Sequence, residues 1–325
     1  MFPFKNQKYR LDIVYPNKMY GGVYSLGPLI VYNLVNKRKD WFCERVFLDH
    51  GKITAPLVGF SLQYEMDLEN VLRMKQKNTI NFAGGPVVEM YAEKLIKYFD
   101  FLILGDVEVV LNKVMEEYEK GVEGFLKRIS SIEGVYTGNK LSRASGDLDS
   151  FSYALVQPFP KEMTKDFVFG KCFMLEMERG CPFDCKFCAM KKFYTHVKFR
   201  SLENIKRIID EGLRVNKVSR IVIYSPSFMH PNRKEILKYL ISKKVRVSVP
   251  SIRAEQMDQE TLELLKQCGI ESLTIAPECN EELRMKIGKN VRNDQYFKFI
   301  RLCNEVGIKK LKMYIMVGVP GMEKR

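Results

Sequence analysis

Apolar positions along the first 120 residues fall into two alternating textures. Short continuous runs at 11–15, 45–49, 57–62, 80–85 and 101–106 suit buried strands. Between them, 28–37, 67–76, 87–99 and 108–120 repeat their apolar residues at helical spacing. Alternation at this interval predicts an α/β fold with a parallel, doubly wound sheet of the flavodoxin-like kind. From about 133 to 170 the texture breaks into turn-rich and proline-bearing sequence, which predicts a domain boundary near 150. The alternation then resumes, with strands expected at 172–178, 220–225, 245–251, 272–278 and 311–320. Helices between them carry recognisable ends. Ser201 is placed to cap one and Pro231 to open another, while Gly269 and Gly307 close two more. Domains 1–150 and 151–325 follow, the second a partial (β/α) barrel. In barrels of this kind chemistry sits on the loops after the strands.

No apolar run approaches the ~18 residues that a membrane span requires, and the first residues lack the profile of an export signal. A cytoplasmic setting is therefore expected, in which the eight cysteines stay reduced and free to bind metal. Net charge is +14, unevenly spread: residues 1–150 carry 20 Lys and Arg against 19 Asp and Glu, residues 151–325 carry 33 against 20. The basic surplus belongs to the second half, where it suits an anionic substrate, nucleic acid included, or simply a lysine-rich solvated surface. No single dense run stands out, and "KKFYTHVKFR" (191–200) is the best local candidate.

The second half opens with "ERGCPFDCKFCAM" (178–190), three cysteines within eight positions just after its first expected strand. Closed zinc sites take four ligands, usually from paired C-x-x-C motifs. Here the next cysteine, Cys268, lies 80 residues on in a helical pattern, and no histidine is nearer than His196. Three thiolates suit a [4Fe–4S] cube that leaves one iron open to a ligand from outside the protein.

The spacing C-x-x-x-C-x-x-C of Cys181, Cys185 and Cys188, with aromatic Phe187 before the last cysteine, resembles the radical S-adenosylmethionine (radical SAM) superfamily. The resemblance implies that the open iron chelates the amine and carboxylate of S-adenosylmethionine. Reduction of the cluster, by a low-potential donor of ferredoxin or flavodoxin type, then yields methionine and a 5′-deoxyadenosyl radical. Phe187 would sit beside the adenine. The segments 250–269, 272–290 and 310–323 look like members that carry an N-terminal cobalamin-binding-like domain. By that likeness Arg253 and Glu278 project from the ends of the third and fourth barrel strands toward S-adenosylmethionine or substrate. A salt-bridge role is the alternative for both. Ser225 and Ser227 stand where many members have a Gly-Gly-Glu run holding the amine, so that contact is unassigned. Cys279, directly after Glu278, is a candidate hydrogen donor or radical partner, or a plain loop cysteine. Methyl or methylthio transfer is the reaction class implied.

The resemblance also implies a cobalamin fold for the first half, yet the loop after its first strand, "PNKMYGGVYSLG", lacks the histidine of the familiar cobalt-ligand pattern. Weaker echoes are Ser61-Leu62 and Gly84-Gly85, where the nucleotide tail of the cofactor would pass. A cofactor-free domain and cobalamin without a protein ligand both fit. The sequence stops after its fifth barrel strand, which reads either as truncation or as an edge that another chain covers. A different class, a non-catalytic iron–sulfur or zinc protein that binds an anionic partner, shares these features.

Overall fold

The computed structural model describes residues 7–194 and 196–322. Thr195 in the basic run and Glu323 at the end of the 310–323 segment lie outside them. The chain forms two compact units, one reaching to Gly170 and the other starting at Lys171.

In the first unit six strands make one sheet: β1 (Tyr9–Tyr15), β2 (Trp41–Phe47), β3 (Leu57–Ser61), β4 (Ile80–Gly84), β5 (Phe101–Ile103) and β6 (Val135–Tyr136). Their order is β2-β1-β3-β4-β5-β6, parallel except for antiparallel β6 at one edge. The first five strands thus follow the flavodoxin-like order. Helices α1 (Met19–Gly22), α2 (Leu26–Asn36), α3 (Asp67–Met74), α4 (Pro86–Leu95), α5 (Val107–Glu119) and α6 (Phe125–Ile129) fill the connections. Both sheet faces are covered, which is why the strands read as continuous apolar runs. Leu11, Leu57, Phe82 and Phe101 pack in one core cluster with α2 and α5. Val14, Val58, Phe60, Ala83 and Leu102 pack in another with α4.

Residues 151–170 pack onto this same unit. Buried Asn33 on α2 donates to Val156 O (2.8 Å) and accepts from Val156 N (3.0 Å). Tyr24 packs its ring against Phe159 and Phe169 and donates to Gly170 O (3.0 Å).

The second unit contains β7 (Phe173–Glu176), the short antiparallel pair β8 (Glu178–Arg179) and β9 (Lys198–Phe199), then β10 (Arg220–Tyr224), β11 (Arg246–Ser248), β12 (Ser272–Glu278) and β13 (Lys310–Ile315). Strands β7, β10 and β11 form one parallel sheet and β12 and β13 a parallel pair. The two are joined not by a ladder but by single bonds such as Ile252 N to Thr274 O (2.9 Å). This is the partial barrel expected. Its helices are α7 (Met190–Phe193), α8 (Leu202–Asn216), α9 (Arg233–Ser242), α10 (Gln259–Gln267), α11 (Glu281–Lys286) and α12 (Asn293–Val306). Ser201 caps α8 by accepting from Asn204 N (3.2 Å), and Gly269 and Gly307 take positive φ after α10 and α12. Pro231 does not open a helix: α9 begins two residues later. The turn before it is held by His230, whose Nδ1 accepts from Asn232 N (3.1 Å) while Nε2 donates to Arg200 O (2.8 Å). Among the described residues β13 pairs only with β12, and Met313, Tyr314 and Ile315 on it are half-exposed.

Candidate functional site

The three clustered cysteines lie on the loop between β8 and α7, at the end of the first barrel strand. All three are partly exposed, whereas Cys43, Cys172, Cys268, Cys279 and Cys303 are buried. Burial pushes the Cys181 thiol up, opposed by a backbone hydrogen bond at Phe183, by the Ser227 hydroxyl and by the Arg253 charge. The loop is tight at its end, where Cys188 N donates to Cys185 O (3.0 Å). Among the described residues no three Cys, His, Asp or Glu side chains converge on a point as ligands of a single ion would. Thiolates of a cube bind separate irons and need no such convergence.

Arg253, at the end of the β11 strand–loop segment, faces this loop. Its Nη1 lies 3.8 Å from Cys185 Sγ, its guanidinium covers the Phe183 ring at 3.5 Å, and its Nε donates to Glu255. Glu278 closes β12 with a φ of 67°, a left-handed conformation that a non-glycine residue holds only under constraint. Its buried carboxylate accepts from Lys289 Nζ at 2.9 Å. Cys279 beside it is buried, and burial raises its thiol against the nearby Arg284 charge. Phe187 is 45% exposed, so its ring is open to a ligand face.

Sequence reasoning missed four groups here. Glu178, 1% exposed, accepts from Ser225 Oγ, from Ser227 Oγ (3.2 Å) and from Met229 N (3.1 Å to Oε2). No cationic side chain pairs with it among the described residues. Glu176, two residues earlier, instead binds Arg179 through two 2.9 Å hydrogen bonds and lies 3.6 Å from Arg200. Arg284 is 1% exposed and spans the β12 loop by donating to Val291 O (2.6 Å), Cys279 O (2.7 Å) and Pro277 O (3.2 Å). Gly288 has a φ of 76°, and a Cβ there would stand 2.7 Å from Asp184 O; next to it, Lys186 N donates to Ile287 O (2.9 Å). The cysteine loop therefore rests on the turn after α11. The one sequence signal for any of these was an acidic residue at the end of an apolar strand, since a buried charge is costly unless it serves something.

A family model described as the radical SAM superfamily matches residues 175–325, and another described as radical SAM proteins, N-terminal, matches 53–137. An uncharacterized protein of Methanocaldococcus jannaschii is 31% identical over 326 residues, 95% of this chain and 69% of that one. The chain belongs to the radical SAM superfamily of enzymes. The hopanoid C-3 methylase of Methylococcus capsulatus is 22% identical over 270 residues, 78% of this chain and 51% of the relative. Among solved structures, the radical S-adenosylmethionine methyltransferase TsrM from Kitasatospora setae, with tryptophan and a SAM analog bound, superposes with a TM-score of 0.73. It covers 97% of this chain and 68% of its own at 16% identity. The cobalamin-dependent radical enzyme OxsB, with aqua-cobalamin and S-adenosylmethionine bound, gives 0.70 over 95% and 49% at 13% identity. At such identities the likeness is one of fold: a radical SAM barrel preceded by a cobalamin-binding-like domain. This chain spans about half the length of the hopanoid methylase and of OxsB.

The cobalamin-like unit departs from the cofactor pattern in its side chains. The loop after β1 folds into α1, whose first N–H, at Met19, donates to Asp49 Oδ1 (2.8 Å), and it holds no histidine. Gly84 and Gly85 close against the end of β3: Leu62 N donates to Gly84 O (2.9 Å), and a Cβ on Gly85, with its φ of 114°, would stand 2.6 Å from Leu62 O. Ser61 is buried and accepts from Gln63 Nε2 (2.8 Å). Among the described residues no helix is long and apolar enough to cross a membrane.

Proposed function

We propose that Cys181, Cys185 and Cys188 each bind one iron of a [4Fe–4S] cluster, and that the remaining iron takes S-adenosylmethionine for methyl or methylthio transfer to a substrate. The observation that carries this reading is the loop itself: three partly exposed thiols at the end of the first barrel strand, faced by a guanidinium 3.8 Å from Cys185 Sγ. Thiolates bound to iron carry net negative charge, and a fixed cation beside them offsets it. With a low-potential donor of ferredoxin or flavodoxin type, the bound cluster supplies the electron that cleaves S-adenosylmethionine.

The side chains around the loop divide the remaining work. Glu178, a buried carboxylate without a cationic partner among the described residues, is the group we place opposite the ammonium of S-adenosylmethionine. Among the described residues its Oε2 accepts from Met229 N alone, which keeps room for a further donor. Phe187 offers its exposed ring to the adenine. Glu278 already has Lys289, so we give it the shape of the β12 loop rather than a cofactor contact. The basic surplus of the second half favours an anionic substrate, with nucleic acid in that class. Cobalamin, if the first unit takes it, is held without a histidine of the loop after β1.

Anaerobic reconstitution tests the reading. The expected protein is brown, with iron and sulfide in equal amounts and a broad visible absorption. Alanine at any of the three cysteines lowers the iron content and abolishes S-adenosylmethionine turnover, read as 5′-deoxyadenosine or S-adenosylhomocysteine. Tight zinc binding with no iron–sulfur absorption overturns it.

A further inference from the structure

The contact between Arg253 and Cys185 has the build of a tuning device. We infer that Arg253 is a positioning residue for the cluster, donating a charge-assisted hydrogen bond to Cys185 Sγ that stabilises the reduced state. The inference rests on the cluster reading above and adds to it a role for a residue outside the cysteine motif.

Three contacts fix the guanidinium. Glu255 takes its Nε, the Phe183 ring lies under its plane at 3.5 Å, and Nη1 reaches Cys185 Sγ at 3.8 Å, within hydrogen-bonding range for sulfur. The side chains of Arg253 and Glu255 are only 12% and 7% exposed. An arginine this enclosed has given up most of its rotamer freedom and much of its hydration. Its aim is therefore set by the fold and not by solvent. The flat face takes the aromatic, one edge takes the carboxylate, and the remaining edge points at the thiol. Lysine, a point charge without a planar fork, cannot make all three contacts.

Charge sets the direction of the effect. Reducing the cluster by one electron adds a negative charge close to Cys185. Hydrogen bonds to the sulfurs and local net charge are the means by which proteins set such potentials. A cation at this distance in a partly dry site favours the reduced state. Glu255 offsets part of that charge but binds the opposite edge of the guanidinium, so the hydrogen bond to sulfur keeps its donor.

The test is the midpoint potential of the reconstituted cluster, measured by EPR-monitored redox titration without S-adenosylmethionine. It compares the wild-type chain with Arg253→Gln and Arg253→Lys, with iron content measured for each. Arg253→Gln is expected to shift the one-electron equilibrium at least tenfold toward the oxidised form, 59 mV to lower potential. Arg253→Lys should shift it the same way by less, and it decides the matter should Arg253→Gln fail to hold iron. Loaded variants whose equilibrium stays within twofold of wild type overturn the inference. So does a loss of S-adenosylmethionine affinity with the potential unmoved, which would reassign Arg253 to that ligand. A wild-type chain that never loads a cluster removes the underlying reading instead.

Discussion

Glu178 Oε1 lies 3.2 Å from Ser227 Oγ, so a carboxylate from the first barrel strand reaches the loop after the second. Ser225 Oγ donates to the same oxygen. Among the described residues the donors to this carboxylate are all neutral, and a buried carboxylate so held keeps its charge available to an incoming cation. Glu178→Gln retains the shape but removes the charge. The expected result is S-adenosylmethionine affinity weakened at least tenfold by equilibrium dialysis, with iron content unchanged. Unchanged affinity would make Glu178 an anchor for the 225–229 loop and nothing more.

How much of this was legible depended on the range of the interaction. The five parallel strands of each unit and the longer helices between them were readable because their signal is periodic and local, as in the fully buried run Leu57–Ser61, whereas short elements such as β6, β8 and β9 gave no such signal. The cysteine loop was readable because its three cysteines sit within eight positions. By contrast, the packing of 151–170 onto the first unit depends on side chains far back along the chain, such as Asn33, bonded to Val156 more than 120 residues away, and Tyr24, bonded to Gly170. Nothing in a turn-rich, proline-bearing stretch announces such a contact. The partners of Glu178 lie 47 to 51 residues along the chain, and Asp184 meets Gly288 across the barrel. Asp12, in the middle of an apolar strand, also has its partners far along the chain. It accepts from Thr54 N (2.6 Å) and Ala55 N (2.8 Å), holding the segment that leads into β3.

Arg284 should matter more to stability than any exposed ion pair. It is buried with carbonyl and amide oxygens as acceptors and the Tyr296 ring 4.9 Å from its guanidinium. Arg284→Met strands several buried carbonyls, each costing about 1–3 kcal/mol when unsatisfied. A loss of at least about 3 kcal/mol in urea unfolding is expected, with no rescue by Arg284→Lys, whose ammonium lacks the planar fork. A loss below about 1 kcal/mol would mean that water replaces those contacts.

Gly288→Ala tests whether the turn after α11 supports the cysteine loop. Its positive φ alone costs a side chain roughly 1–2 kcal/mol, and the new Cβ would meet Asp184 O at 2.7 Å. The loop would be displaced at Asp184, between Cys181 and Cys185. The expected outcome is a folded protein by circular dichroism that loses iron several-fold faster to a chelator. Wild-type iron retention would show the loop to be held from its own side.

Alkaline pH should weaken the fold well before it reaches the backbone. Burial raises the thiols of Cys172 to about 12 and of Cys268 and Cys303 to about 11, and the Tyr296 hydroxyl to about 12. The same groups ionise near 9 and 10 once exposed. The folded state holds these protons more tightly, so their contribution is complete below pH 9 and is lost as pH climbs toward 11–12. By pH 10.5 each thiol should cost roughly 1–2 kcal/mol. Urea midpoints at pH 8, 9.5 and 10.5, under reducing and metal-free conditions, should fall steadily over that window. Cys303→Ala, starting from a lower midpoint because of its small cavity, should then decline less steeply than wild type. A flat profile to pH 10.5, or equal slopes in the two proteins, would mean that these thiols meet solvent in the native state.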